Sequence, residues 1–448
     1  MNQDTNKTEW FEYIYFFMIV IYAAMAVPFT NSMNGYTGSP LGFALPIIMT
    51  IILLARNKVN FKNNYFLTVI IIHTLWALLQ YLINNRFNVT YTFFTYYCIA
   101  LAYIIISVFN TKIFYLYEDI VTKLSVAAIV GWLFMITVPD VLGALIDQLK
   151  MTPGDIYILR GNILVFSMTN SDVYQAYELW GLTRNSGFSW EPGRYASMLV
   201  VALFFNMART QFSFSKNKGF LILFFALLTT QSTTGFISLA FLVIMFLLNK
   251  NIDQKIFYLA LLIPLAIAVF SLPFIGEKIT SLMDREATME KIEEDLIARD
   301  QINEEGAYTP QRFDGLSFEF LNIINDPILG YGYDAEDSFV VTSISDKLVL
   351  SNGLLKVFSR FGIIIGVLFY FALYKSSKWF SNFYNIKGGV LYMLLFISIS
   401  ISYDFTLIPF FLAVTMFGLF VNKDIKYRRE EDENMLPIPI YPFVNKAR

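Results

Sequence analysis

Arg184-Asn-Ser-Gly-Phe-Ser-Trp-Glu-Pro-Gly-Arg-Tyr-Ala196 joins a long polar segment to a hydrophobic run that begins near Tyr195. Two arginines and a carboxylate crowd the junction, and two glycines and a proline fix its backbone. A charged side chain at the centre of a bilayer costs roughly 2.5–3.5 kcal/mol even on the lenient insertion scale. Such a stretch belongs at a membrane interface or in a wet cavity, so the rest of the chain reads as its scaffold.

Composition agrees. The 448-residue chain is 56% hydrophobic and 15% charged, whereas a soluble domain carries about 25% charged residues. The fold class expected is an all-α polytopic membrane protein, one integral-membrane domain over 1–448. A net charge of −2 with no basic tract gives no reason to expect nucleic acid as a partner. The single cysteine, Cys98, rules out a disulfide framework or a Cys-based metal site. His73 is the only histidine, which removes every His-dependent metal or triad motif unless it acts alone. Ala24-Met25-Ala26 resembles a signal-peptide cleavage site, but Asp4, Glu9 and Glu12 against Lys7 leave no positive n-region. The first apolar segment is expected to remain a transmembrane helix.

Apolar windows of roughly 20 residues place helices near 10–30, 38–55, 65–84, 91–109, 119–139, 194–209, 218–232, 233–249, 256–275, 352–374, 388–402 and 404–421. The pair around Gln231-Ser-Thr-Thr-Gly235 and the last pair are each close together, so about twelve transmembrane helices are expected. Lys and Arg cluster in alternate loops: Arg56, Lys58 and Lys62; Arg209, Lys216 and Lys218; Lys250 and Lys255; Lys375, Lys378 and Lys387. That side is expected to be cytoplasmic, with both termini and the tail 422–448. Two long segments, 140–193 and 276–351, then lie on the extracytoplasmic side. Within the second, Met289, Ile292 and Leu296 recur among charges, as on a solvated surface helix.

Several constellations could carry chemistry. Pro192 suits the first turn of a helix, and Glu191 before it sits where the helix dipole favours an anion. Glu191 is then either a cap with Arg184 or Arg194 as salt partner, or part of an anion-handling site, since arginine forks suit phosphate. Arg312 opens an amphipathic stretch whose apolar positions are Phe313, Leu316, Phe320 and Ile323. Asn325-Asp-Pro-Ile-Leu-Gly-Tyr-Gly-Tyr333 then makes a tight turn. Asn352, Lys356 and Arg360 fall at i, i+4 and i+8, one helix face. Their counter-charge is either Asp404 or an anionic ligand. His73 reads as a helix-to-helix hydrogen bond, and the 231–235 hydroxyls as a turn or a polar substrate contact.

Arg-x-x-Gly-Phe-x-x-Glu-Pro-Gly at 184–193 resembles the O-antigen polymerase and ligase superfamily. So do Ser351-Asn-Gly-Leu-Leu with Phe361-Gly-Ile-Ile-Ile-Gly366, and the Arg312 segment ending Pro-Ile-Leu-Gly-Tyr-Gly. In motif order the similarity spans about 180–420. It implies a GT-C-like glycosyltransferase of the bacterial inner membrane. Such an enzyme works on undecaprenyl-pyrophosphate-linked oligosaccharide at the outer face, with no cofactor or metal. Its partners would be membrane lipid and, for a polymerase, a chain-length regulator protein. The resembling ligases carry a His-Asn pair where this chain has Ser351-Asn352, which favours a polymerase and leaves the general base open. Carried onto this chain, Arg184 and Glu191 are the catalytic candidates. Arg194, Arg312, Asn352, Lys356 and Arg360 are those for pyrophosphate or glycan. The ligase is the alternative within the class. A flippase or transporter of lipid-linked glycans is the alternative outside it, and would be expected to show internal repeats.

Overall fold

The computed structural model describes residues 9–24, 40–149, 159–163, 165–169, 183–214, 217–250, 314–345, 348–350, 352–401 and 403–421. Helices dominate. In chain order they are α1 (Trp10–Ala24), α2 (Pro40–Arg56), α3 (Asn64–Asn84), α4 (Val89–Phe109), α5 (Lys112–Thr137) and α6 (Pro139–Leu149). The hairpin β1 (Leu159–Ile163) and β2 (Phe166–Thr169) follows, then α7 (Pro192–Arg209), α8 (Lys218–Thr229) and α9 (Thr233–Leu248). After them come α10 (Asp314–Asn325), α11 (Phe339–Ser343), α12 (Lys356–Tyr384), α13 (Leu391–Ser400) and α14 (Pro409–Phe420). The expected helices at 256–275 and around 289–296, the residue Arg312 and the tail 422–448 lie outside the described residues.

Helices α3, α4, α5 and α12 are long and apolar enough to cross a membrane, and six shorter apolar helices accompany them among the described residues. The chain is an integral membrane protein. Its central post is α7, which packs on α1, α5, α8 and α9. Fifteen of its 18 residues are buried, Ser197 and Asn206 included. A helix that carries polar groups at that density belongs inside a bundle rather than against lipid. Close helix crossing is bought with small residues elsewhere: a Cβ on Gly418 of α14 would stand 2.6 Å from the Lys375 backbone of α12.

Four boundaries or faces differ from the sequence expectation, each for an electrostatic or conformational reason. Helix α5 begins at Lys112 rather than 119. Glu118 is buried and held by Arg209 through two bonds of 2.7 and 2.6 Å, with Asn206 donating at 2.7 Å. Helix α12 runs on to Tyr384, because Lys375 and Lys378 lie over the rings of Phe371 and Tyr374 at 5.2 and 5.1 Å instead of ending it. Residues 139–149 form a helix where a structureless connection was expected. On α10 the buried positions are Phe318, Glu319 and Asn322, while Phe320 is 56% exposed. The inward face thus combines Phe318, which packs with Val340 and Leu348, with two polar side chains, while Phe320 of the expected apolar face looks outward.

Candidate functional site

The 183–191 segment is pinned before α7 begins. Asn185 donates from its amide to Thr229 Oγ1 at 2.9 Å, Ser189 Oγ to the Ala24 carbonyl at 2.9 Å, and Trp132 Nε1 to the Thr183 carbonyl at 2.7 Å. Gly187 has φ +54°, and a Cβ there would lie 2.5 Å from the Tyr195 ring; only glycine takes that turn without strain. Pro192 then starts α7 with Glu191 at the N-cap, but the Glu191 side chain makes no capping bond. Its carboxylate instead sits 3.7 Å from Arg194 Nε, with 12% and 14% of the two side chains exposed. Arg194 is sandwiched, its guanidinium 4.4 Å from the Trp190 ring centre and 4.9 Å from that of Tyr403. Stacking uses the faces of the guanidinium and fixes its plane, leaving the edge to direct hydrogen bonds.

Arg184 donates from Nε to the Thr230 carbonyl at 3.1 Å, at the break between α8 and α9. Ser232 caps α9, accepting from Gly235 N. A Cβ built on Gly193 would lie 3.6 Å from Glu191 Oε1 and 3.9 Å from Ser232 Oγ. Arg184 and Glu191 therefore both flank the 230–232 break.

The 352–360 stretch is split. Helix α12 starts only at Lys356, so Asn352 lies outside the helix and not on a continuous face. Asn352 accepts from Leu354 N at 2.9 Å, a side-chain turn, and donates to the Ile401 carbonyl at 3.2 Å. A Cβ on Gly353 would meet the Tyr403 carbonyl at 2.5 Å and Asp404 Cα at 2.6 Å, so this backbone lies directly on the break between α13 and α14.

Lys356 finds its acid on α10. Its Nζ is 3.4 Å from Glu319 Oε1, and Glu319 is wholly buried. Ser359 Oγ donates to the other Glu319 oxygen. Asp404, the partner weighed from sequence, accepts from Thr406 N at 3.1 Å and stands close enough to act electrostatically on both Lys356 and Arg360. Arg360 interacts electrostatically with the Tyr331 side chain. Arg194, Glu191 and Asp404 all act on Tyr403. Tyr403-Asp404 therefore joins the Glu191–Arg194 pair to the Lys356–Arg360 turn.

A second junction fixes that turn. Gly362, φ +81°, interrupts α12, and the 327–332 loop lies along the break. Ile363 N donates to the Pro327 carbonyl at 2.8 Å, Tyr331 N to Ser359 O at 2.9 Å and Gly332 N to Arg360 O at 3.0 Å. Helix α3 grips the same loop from behind. Trp76 Nε1 donates to the Leu329 carbonyl at 2.9 Å, and Gln80 Nε2 to the Leu329 and Gly330 carbonyls, both at 2.8 Å. His73 Nε2 and the Tyr333 hydroxyl share a hydrogen bond of 2.5 Å. The lone histidine thus ties a helix to a loop, not to another helix.

Residues 219–371 match the family model described as O-antigen ligase. This stretch is of the O-antigen ligase family. No curated protein matches the chain. The O-antigen ligase stretch holds the 231–235 break, Glu319, Asn352, Lys356 and Arg360; Arg184, Glu191, Arg194 and Asp404 lie outside it. The structure brings Glu191 to Arg194, and Lys356 and Arg360 to one turn, with Tyr403-Asp404 between the two groups. Gly315, three residues after Arg312 in sequence, would place a Cβ 3.5 Å from that of Asn352. Sequence reasoning missed Glu319 and the stacking of Arg194. For Glu319 a signal existed, a carboxylate sharing a helical face with Phe318 and Asn322. For the stack there was none, since Trp190 and Tyr403 come from distant segments. Among the described residues no group of three His, Cys, Asp or Glu side chains is placed to hold a metal ion.

Proposed function

We propose that the chain polymerises lipid-linked oligosaccharide repeat units by glycosyl transfer at the outer face of a bacterial inner membrane, with undecaprenyl pyrophosphate as leaving group. The observation that carries this reading is the convergence at Tyr403-Asp404. Two cation groups from separate segments meet there beside two helix breaks, next to a domain of the O-antigen ligase family. The about twelve spans, the GT-C class, the cytoplasmic termini and a chain-length regulator belong to the same proposal.

The roles follow from how tightly each cation is held. Lys356 faces the buried Glu319 carboxylate at 3.4 Å and chiefly holds it in place. Arg194 is held by stacking between Trp190 and Tyr403, which fixes the plane of its fork, with Glu191 3.7 Å from its Nε. Arg194, Arg184, Arg312 and Arg360 are assigned to the diphosphate, and Asn352 to the substrate's polar groups. As the bond from the anomeric carbon to the pyrophosphate oxygen breaks, negative charge grows on that oxygen. A donor already in position there is worth about 10²–10³ in rate. Glu191 is assigned to accept the proton of the attacking hydroxyl, because its carboxylate is partly exposed and is not used as a cap.

The test is elongation of lipid-linked repeat units on the outer face of proteoliposomes. Arg184→Ala and Arg312→Ala are expected to give short chains at unchanged protein level, and normal long chains from both would remove the leaving-group assignment. Full activity in Glu191→Gln would reduce Glu191 to a structural residue. The family match favours one second reading, an O-antigen ligase. Supplying lipid A core as acceptor discriminates it, since transfer to core without elongation would replace the polymerase.

A further inference from the structure

Helix α10 has one committed face and one bare one. Gly315, Phe318, Glu319 and Asn322 fall at i, i+3, i+4 and i+7 and are all buried. Phe318 packs with Val340 and Leu348, and Asn322 accepts from Val340 N at 3.0 Å. On the opposite side Phe320 and Ile324 are 56 and 57% exposed, and Ile328, just past the helix end, is 65% exposed. Asp314 and Glu319 are the only charged residues of α10, and Glu319 is turned inward. Past its first residue, the outward face of α10 therefore carries no charge.

Single exposed apolar side chains are ordinary on a protein surface, but this row prolongs a lipid-facing stripe. On the spanning helix α12, Ile364, Val367 and Phe371 are exposed at i, i+3 and i+7. The Ile328 backbone lies directly on the break at the start of that stripe. A Cβ on Gly362 would overlap the Ile328 carbonyl, and Ile363 N donates to the neighbouring Pro327 carbonyl at 2.8 Å. The stripe of α12 thus passes to Ile328, and from there to Ile324 and Phe320 at four-residue steps.

The depth of α10 is fixed from α3. Asp326, the residue after the helix end, accepts from Arg86 at 3.0 Å and from Asn84 Nδ2 at 3.4 Å. Both donors stand where α3 ends, close in sequence to the half-exposed ring of Tyr81. Tyrosine and arginine at the end of a spanning helix mark the headgroup level. The C-terminal end of α10 is held at that level.

We propose that α10 lies in the membrane interface, with Phe320, Ile324 and Ile328 seated among lipid acyl chains just beneath the headgroups. A free interfacial helix buries its apolar face about 5–10 Å into that boundary and leaves its polar face in water; here the polar face is taken up by protein instead. Part of the segment expected to be extracytoplasmic therefore rests on lipid. Glu319 is the residue before Phe320, so the bilayer presses from one side on the helix that holds Lys356 from the other. The proposal needs only an integral membrane protein and stands apart from the glycosyl-transfer reading.

Two measurements test it. In a Cys98→Ala background, which has no native thiol, Phe320→Cys and Ile324→Cys are each labelled with bimane and placed in phosphatidylcholine nanodiscs. Some of the lipid carries a nitroxide near the headgroup end of one acyl chain. Lys58→Cys in the α2–α3 loop is the water reference, and Val126→Cys on the exposed side of α5 the membrane reference. At both α10 positions the nitroxide lipid is expected to quench at least about twofold more than at Lys58→Cys, and aqueous iodide at least about twofold less. Iodide quenching equal to that at Lys58→Cys puts the face in water and overturns the proposal. Quenching by neither agent puts protein over it, a second copy or another segment of the chain, and overturns it as well. The second measurement uses the unaltered chain in nanodiscs with a lipid that carries a diazirine at the same depth. Photo-adducts are expected within 314–328; adducts on α3 with none in 314–328 overturn the proposal. Neither readout involves transfer activity, so a chain that fails to elongate glycan leaves this result untouched.

Discussion

Arg194 shows how much of its behaviour comes from shape rather than charge. Lysine keeps the charge but has no plane to lie between Trp190 and Tyr403 and no fork to present. Arg194→Lys is therefore expected to lose elongation rate by about 10²-fold, close to Arg194→Ala; chain-length analysis of the two side by side checks it. Lys356 is the opposite case, a charge fixed by a buried acid. Lys356→Ala strands Glu319 inside the bundle at an expected cost of about 3–5 kcal/mol. Glu319→Gln added to Lys356→Met should restore most of the lost melting temperature in detergent, because no bare charge then remains. The sequence made Lys356 and Arg360 visible as a one-turn pair. It hid Glu319 because the alternating apolar letters of 313–323 invited the wrong face.

At the scale of elements, the 326–334 loop links α3 to the break in α12, and Arg86–Asp326 clasps its outer end. Burial pushes the Asp326 carboxyl above its ordinary value, while Arg86 and the amides of Leu329 and Gly330 pull it back. A carboxyl held high binds its proton more tightly in the folded chain, so its contribution to stability falls as pH rises past about 4. Arg86 offsets that loss only where Asp326 is ionised. Arg86→Ala is thus expected to cost about 1 kcal/mol near neutral pH and progressively less toward about pH 4; melting temperatures across that range give the answer. Helix existence was legible from apolar windows. So was the break at 231–235, whereas the one at Gly362 was not, because it is made by a positive φ, which no pattern of apolar letters records.

For the whole molecule, the orientation read from Lys and Arg has a direct check. Cys98 is buried and donates to the Leu407 carbonyl, so a Cys98→Ala background leaves a chain without native thiols. In spheroplasts, an impermeant maleimide is expected to label Thr90→Cys in intact cells and Lys58→Cys only after permeabilisation. The reverse pattern would put the Tyr403-Asp404 convergence on the cytoplasmic side and end the outer-face mechanism. Composition alone revealed a membrane bundle, whereas the place of α7 at its centre did not follow from hydropathy; Asn206 of α7 needs the Glu118 and Asn217 partners that lipid cannot supply.

Where the 327–332 loop meets the break in α12, peptide groups bond peptide groups, and from α3 Gln80 and Trp76 reach for loop carbonyls. Every residue type carries the same carbonyl, so Ile328 and Leu329 can drift to other apolar residues without loosening it, provided Gly330 and Gly362 stay small. A keystone of that kind survives rewriting of its own letters. It lets those letters change while the two halves of α12 stay in register with α3.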